Sequence, residues 1–99
     1  MSGYALSPAA RDDLDSIWDY TAETWSPDQA ERYVLEIRAA CAALASGQRR
    51  GRSAEDIRAG YRKLAVGAHF LFYRVGNEGL IEVIRILHQR MDVSAHFDS

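Results

Sequence analysis

The sequence predicts an α+β fold: an N-terminal strand leads into an antiparallel helical hairpin packed on a C-terminal antiparallel β-sheet. Two observations carry this reading. Up to Gly47, apolar residues recur every three or four positions, the spacing of one helix face. Beyond Gly47, runs of β-branched and aromatic residues alternate with Gly-containing turns, the mark of strands. The 99 residues are 47% hydrophobic and 26% charged, which suits one globular domain spanning 1–99.

Tyr4-Ala5-Leu6 is a short strand. Ser7-Pro8 then starts a helix, with Ser7 as N-cap and Pro8 at the first helical position, where its missing N–H costs nothing. Ala10, Leu14, Ile17, Trp18 and Trp25 continue at helical spacing if Thr21 joins the stripe. Ser26-Pro27 repeats the start signal, and Gln29 completes a capping box. The second helix buries Ala30, Tyr33, Val34, Ile37, Cys41 and Leu44 and stops at Gly47. With almost no loop at Trp25, the two helices form a hairpin.

GQRRGRS (47–53) is a loop. Tyr61 to Val66 reads as a strand, and His69 to Val75 and Leu80 to Leu87 flank the hairpin signal Gly76-Asn77-Glu78-Gly79. Pairing Val75 with Leu80 sets Tyr73 opposite Glu82 and Phe72 opposite Val83. One face then carries Phe70, Phe72, Ile81, Val83 and Leu87, and the other carries Leu71, Tyr73, Leu80, Ile84 and Ile86. Both faces are largely apolar, so both must be covered, one by the helices and the other by the C-terminal tail or a second protein. The expected core contains Leu14, Ile17, Val34, Ile37, Leu44, Phe72 and Val83.

Composition narrows the function. The net charge is −2, but residues 1–46 carry three arginines against eight acids, a net of −5, while residues 47–99 carry nine Lys/Arg against six acids, a net of +3. Direct nucleic-acid binding is therefore not expected of the whole molecule, although a basic surface in the second half is allowed. No apolar run approaches the roughly 20 residues of a membrane span, and no basic start followed by an apolar stretch signals secretion. The single cysteine, Cys41, excludes an internal disulfide and a cysteine metal cluster, so a reducing cytoplasm is the simplest compartment. His69, His88 and His96 lack the close pairing of a zinc site, and no Gly-rich phosphate loop precedes a helix; neither metal nor cofactor is expected. The acids Asp12, Asp13 and Asp15 read as a solvated helix face.

His88 closes the last strand beside arginines. It either satisfies backbone groups where the sheet ends or acts as a general acid/base on a phosphodiester.

The order of several motifs resembles the ParE toxins of bacterial toxin–antitoxin modules, within the RelE/ParE superfamily. The matching pieces are Tyr4-Ala5-Leu6-Ser7, Asp13-Leu14, Ile17-Trp18-Asp19-Tyr20, Trp25, Gln29-Ala30 and Tyr33. They continue with Gly51-Arg52, Ile57 to Arg62, His69, Phe72-Tyr73-Arg74 and Ile84 to Asp92. The resemblance runs from about Tyr4 to His96. It implies a ParD-like antitoxin encoded alongside, which wraps the toxin in a hetero-oligomer, and DNA gyrase as the target. Trp18 and Trp25 then serve as aromatic anchors for the antitoxin, and Arg58, Arg62 and Arg74 meet its acids. The C-terminal stretch, with Arg90, Met91, Asp92, His96 and Phe97, is the expected target-binding segment. RelE-like relatives instead cut messenger RNA on the ribosome; that alternative would use His88, Arg62 and Arg85. Gln89 follows His88 and no tyrosine lies beyond Tyr73, so no catalytic residue is assigned and a stoichiometric inhibitor is favoured.

Overall fold

The structure, a computed structural model, describes residues 3–91 and 93–97. Strand β1 (Tyr4–Leu6) leads to helices α1 (Pro8–Thr24) and α2 (Pro27–Ser46). Strands β2 (Arg52–Ser53), β3 (Arg62–Val66), β4 (His69–Val75) and β5 (Ile81–His88) follow, and a short helix α3 (Val93–Phe97) closes the described chain.

The helix boundaries follow local chemistry. The hydroxyls of Ser7 and Ser26 accept from the N–H groups of Ala10 (3.0 Å) and Gln29 (3.1 Å), each satisfying an orphan donor of a first turn that begins with proline. Gly47 ends α2 at φ 83°, a left-handed conformation that glycine adopts without a Cβ clash.

The sheet runs in the order β1-β5-β4-β3-β2. Strands β3 to β5 pair antiparallel, as expected; the expected loop 47–53 contributes β2, which pairs antiparallel with β3, and β1 lies parallel to β5, so the sheet is mixed. Two strand starts move by one residue, because Tyr61 and Leu80 serve turns: the Tyr61 N–H donates to the Arg58 carbonyl and the Leu80 N–H to the Asn77 carbonyl.

The β4–β5 register differs from the expected one. Val75 faces Ile81, Arg74 faces Glu82 and Tyr73 faces Val83, but Phe72 faces Arg85. One extra residue sits in β5, a β-bulge that reverses the alternation of faces beyond it. Ile81 and Val83 join Leu71 and Tyr73 on the helix face, not Phe70 and Phe72, because Val75 meets Ile81 and not Leu80, and the bulge then keeps Ile86 on that same face. Ile84 crosses to the opposite face with Phe72 and Leu87. Ser7 holds the bulge: its N–H donates to the Val83 carbonyl at 2.9 Å and its hydroxyl to the Ile84 carbonyl at 2.7 Å.

The helix-side core gathers Ala10, Leu14, Ile17, Ile37, Cys41 and Leu44 against Leu64, Leu71, Tyr73, Val83 and Ile86. Burying one such Leu or Ile contributes about 1.5–3 kcal/mol. Val34 is only half-buried, packed at the edge of this core. The tryptophans depart from the expected stripe. Trp18 is turned about 100° from Ile17 around the helix, is 38% exposed and lies outside the core. Trp25 caps α1 and is 70% exposed.

The second sheet face is covered by the chain itself. Ala54, Ile57 and Tyr61 pack on Phe72 and Leu87, joined by Val93 and Phe97 from α3. The Phe97 ring meets Tyr61 and Phe72 edge-on, with centroids 5.5 and 5.3 Å away.

Gly51 sits where no side chain fits. Its N–H donates to the buried Tyr73 hydroxyl at 2.8 Å, and a Cβ there would lie 2.5 Å from the Lys63 carbonyl oxygen and 2.6 Å from the Tyr73 oxygen. Gly51→Ala is expected to lower unfolding stability in urea by about 1–3 kcal/mol. Gly3→Ala, where a Cβ meets nothing within 4 Å, should change it by less than about 0.5 kcal/mol. Equal midpoints for the two variants would contradict this close approach.

Candidate functional site

Strands β4 and β5 bring two histidines to one end of the sheet. His69 opens β4, His88 closes β5, and the two face each other in register with ring centroids 5.2 Å apart. Tyr33 reaches in from α2. Its hydroxyl oxygen lies 2.6 Å from His69 Nδ1, accepts from the Ala68 N–H at 3.0 Å, and stands 3.2 Å from the Val66 carbonyl. The hydroxyl has one hydrogen, so it donates to His69 or to Val66 at any moment. Burial lowers the His69 pKa, the neighbouring His88 lowers it further, and Asp13 opposes both. A neutral His69 can accept the Tyr33 proton at Nδ1. Burial likewise pushes the Tyr33 phenol up. Among the described residues, no third ligating side chain joins the histidines to hold a metal ion.

Beside this pair, Ile17, Tyr20, Ile86, His88 and Met91 line an apolar cleft of about 420 Å³. Asp13 stands at its edge, and it is not the solvated acid the sequence suggests. Its Oδ2 accepts from Arg85 Nε at 2.7 Å and from the Ile86 N–H at 2.9 Å, and its Oδ1 accepts from Arg85 Nη2 at 2.8 Å. The hydrogen bond to Asp13 holds the Arg85 guanidinium above its ordinary pKa. Arg85 also donates to the His96 carbonyl at 3.3 Å.

The candidate catalytic set His88, Arg62 and Arg85 is not assembled. Arg62 faces Tyr73 in register, four positions along β4 from His69, which is about 13 Å of strand. There its Nη2 donates to the Gly51 carbonyl. Arg85 is committed to Asp13. His88 Nδ1 accepts from the Arg90 N–H at 3.1 Å, a local turn contact.

The candidate antitoxin-binding residues occupy separate regions. Trp18 and Trp25 are exposed on α1. Arg58 donates to the Phe97 carbonyl at 2.8 Å and lies over the Tyr61 ring, on the opposite sheet face. Arg74 pairs with Glu82 at 2.5 Å. In the candidate target-binding stretch, Arg90, Met91 and His96 are exposed. Phe97 is turned inward against Tyr61 and Phe72 because the second sheet face needs a cover. Asp92 lies outside the described residues. The Cys41 thiol is buried and its pKa is pushed up to about 11 by that burial, which leaves it an inert core side chain.

Sequence reasoning passed over the Asp13 pairing and the Tyr33–His69 contact. The available signal for Asp13 was its place beside Leu14 and one turn before Ile17, on the flank of the buried stripe.

What fold and site define is a small α+β domain that presents several separate surfaces. Residues 4–93 match the family model described as the ParE toxin of the type II toxin–antitoxin system parDE. The chain belongs to the ParE toxin family. It is 54% identical over 92 residues to toxin ParE1 of Mycobacterium tuberculosis, covering 93% of this chain and 94% of that one. It is 44% identical over 96 residues to toxin ParE1 of Caulobacter vibrioides, covering 97% and 98%. Among solved structures, a chain from the chromosomal ParDE system of P. aeruginosa superposes with a TM-score of 0.76 at 26% identity, covering 89% of this chain and 96% of that one.

The lowered His69 pKa makes stability depend on pH. The unfolded chain takes up a proton at about pH 6.5 while folded His69 resists it. The stabilisation is therefore complete above about pH 6.5 and is lost as pH falls from there toward the folded pKa. Thermal unfolding at pH 7.5 and 5.0 should show a smaller acid-induced drop in Tm for His69→Gln than for the parent chain. Equal drops would show that His69 titrates alike in both states.

Proposed function

We propose that this chain is the toxic member of a toxin–antitoxin pair, that a ParD-type antitoxin neutralises it, and that it acts as a stoichiometric inhibitor of DNA gyrase in the cytoplasm. Family membership supports the pairing with an antitoxin, and the P. aeruginosa structure is described as a ParDE system. Among the described residues no helix is long and apolar enough to cross a membrane.

The observation that carries inhibition over RNA cleavage is the dispersal of His88, Arg62 and Arg85. A nuclease needs a proton-transfer group and a cation converging within about 3 Å of the reacting phosphate. Here, of the two candidate cations, Arg85 is paired with Asp13, and Arg62 is anchored toward the other end of the sheet. Contact inhibition needs only exposed surface, and Trp18, Trp25, Tyr20 and Met91 supply exposed apolar groups of the kind that anchor protein interfaces.

Two assays with the purified chain test this. Added to gyrase, it should block supercoiling in proportion to its molar amount, and an equimolar ParD-type protein should relieve the block. Added to ribosomes translating a defined message, it should leave the message intact. Codon-specific cuts that vanish in His88→Ala, with supercoiling unaffected, would overturn the reading.

A further inference from the structure

We propose that the cleft between the C-terminal end of α2 and strands β3–β5 is a carboxylate-recognition site for an acidic side chain of the antitoxin; this rests on the antitoxin pairing proposed above. The cleft has a volume of about 390 Å³ and is lined by Arg49, Arg50 and Arg62, with Tyr73, Leu44 and Val75 among its apolar and aromatic walls.

Three features make it a cation site of defined shape. Gly47, in the left-handed conformation, turns the chain out of α2 and places Arg49 and Arg50 on the rim, and the Arg49 N–H returns to the Ala43 carbonyl at 3.2 Å. Arg62 is half-buried and fixed through one nitrogen to the Gly51 carbonyl, which the Tyr73 hydroxyl holds in place from the amide side. Arg62 Nε is buried and has no hydrogen-bond partner. An unpaired buried donor is costly.

The charge balance points the same way. The ion pairs found among the described residues use Arg74 with Glu82 and Arg85 with Asp13, and no acid lines this cleft. Three arginines therefore line it and no carboxylate does. Arginine binds carboxylates through paired N–H donors in a planar fork, so the site suits one or two Asp or Glu side chains. The negative N-terminal half, with eight acids against three arginines, disfavours a long polyanion such as RNA over a short acidic segment.

Arg49 and Arg50 are exposed, so reversing them leaves the fold intact, and unfolding midpoints of the variants check this. The test measures binding of the ParD-type protein encoded beside this chain to the parent and to Arg49→Glu/Arg50→Glu, at about 0.05 and 0.5 M salt. The expected result is binding at least about tenfold weaker for the variant at low salt, with a shallower salt dependence. Arg49→Lys/Arg50→Lys should retain the salt dependence. Equal affinity and equal salt dependence for the parent and the charge-reversed variant would overturn the proposal. So would loss of binding to a single-stranded RNA oligonucleotide with antitoxin affinity unchanged. Failure of the parent chain to bind the antitoxin at all would instead strike the pairing itself.

Discussion

A single carboxylate, that of Asp13 on α1, organises the junction between the helices and the sheet. Strand β1 covers only Ile81–Val83 of β5, so the rest of that edge would present unpaired backbone groups. Asp13 supplies what the missing strand does not: it accepts from the Ile86 N–H and holds the Arg85 guanidinium at two further points. Its side chain is 14% exposed and that of Arg85 21%, so the pair is largely removed from water and weakly screened. Helix α1 is thereby fixed in height and rotation against β5, and Leu14 and Ile17 follow into the core.

Ser7, six residues earlier, does the complementary task. It caps α1 and binds the carbonyls of Val83 and Ile84, so helix start and β-bulge are one feature. The bulge decides which apolar residues of β5 beyond Val83 meet the helices and which meet the second face. That second face is closed by the segment around Tyr61 and by α3, with Phe97 as its plug. The sheet is apolar on both sides because both sides are covered from within the chain. Exposed large apolar groups remain among the described residues at Trp18, Tyr20 and Trp25 along α1 and its C-cap, at Leu35 on α2, at Val75 ending β4 and at Met91 just beyond β5.

Much of this was legible in the sequence wherever the cause is local. Ser-Pro starts, a Gly stop and helical spacing placed α1 and α2 to the residue, and the β4–β5 hairpin followed from Gly76 to Gly79. The register was not legible, because the bulge depends on Ser7 meeting Ile84 across 77 positions of sequence. Asp13 reads as one of several acids on a helix until its partner 72 positions away is known. The candidate site was legible only as a set of residue types: His88, Arg62 and Arg85 are all present, but the register and the Asp13 pairing keep them apart. The parallel β1–β5 pairing also depends on where the helical crossover returns the chain, which no local pattern states.

The pairing of Arg85 and the anchoring of α1 thus share one cause. Asp13 both secures the helix and engages the Arg85 guanidinium. A double-mutant cycle with Asp13→Ala, Arg85→Ala and the pair, followed by denaturant unfolding, measures that interaction directly. A coupling of about 1.5–3 kcal/mol between the two substitutions is the expected result, in line with charge-assisted hydrogen bonds partly shielded from water. Effects that add to within about 0.5 kcal/mol would contradict it, showing that the two side chains do not hold each other.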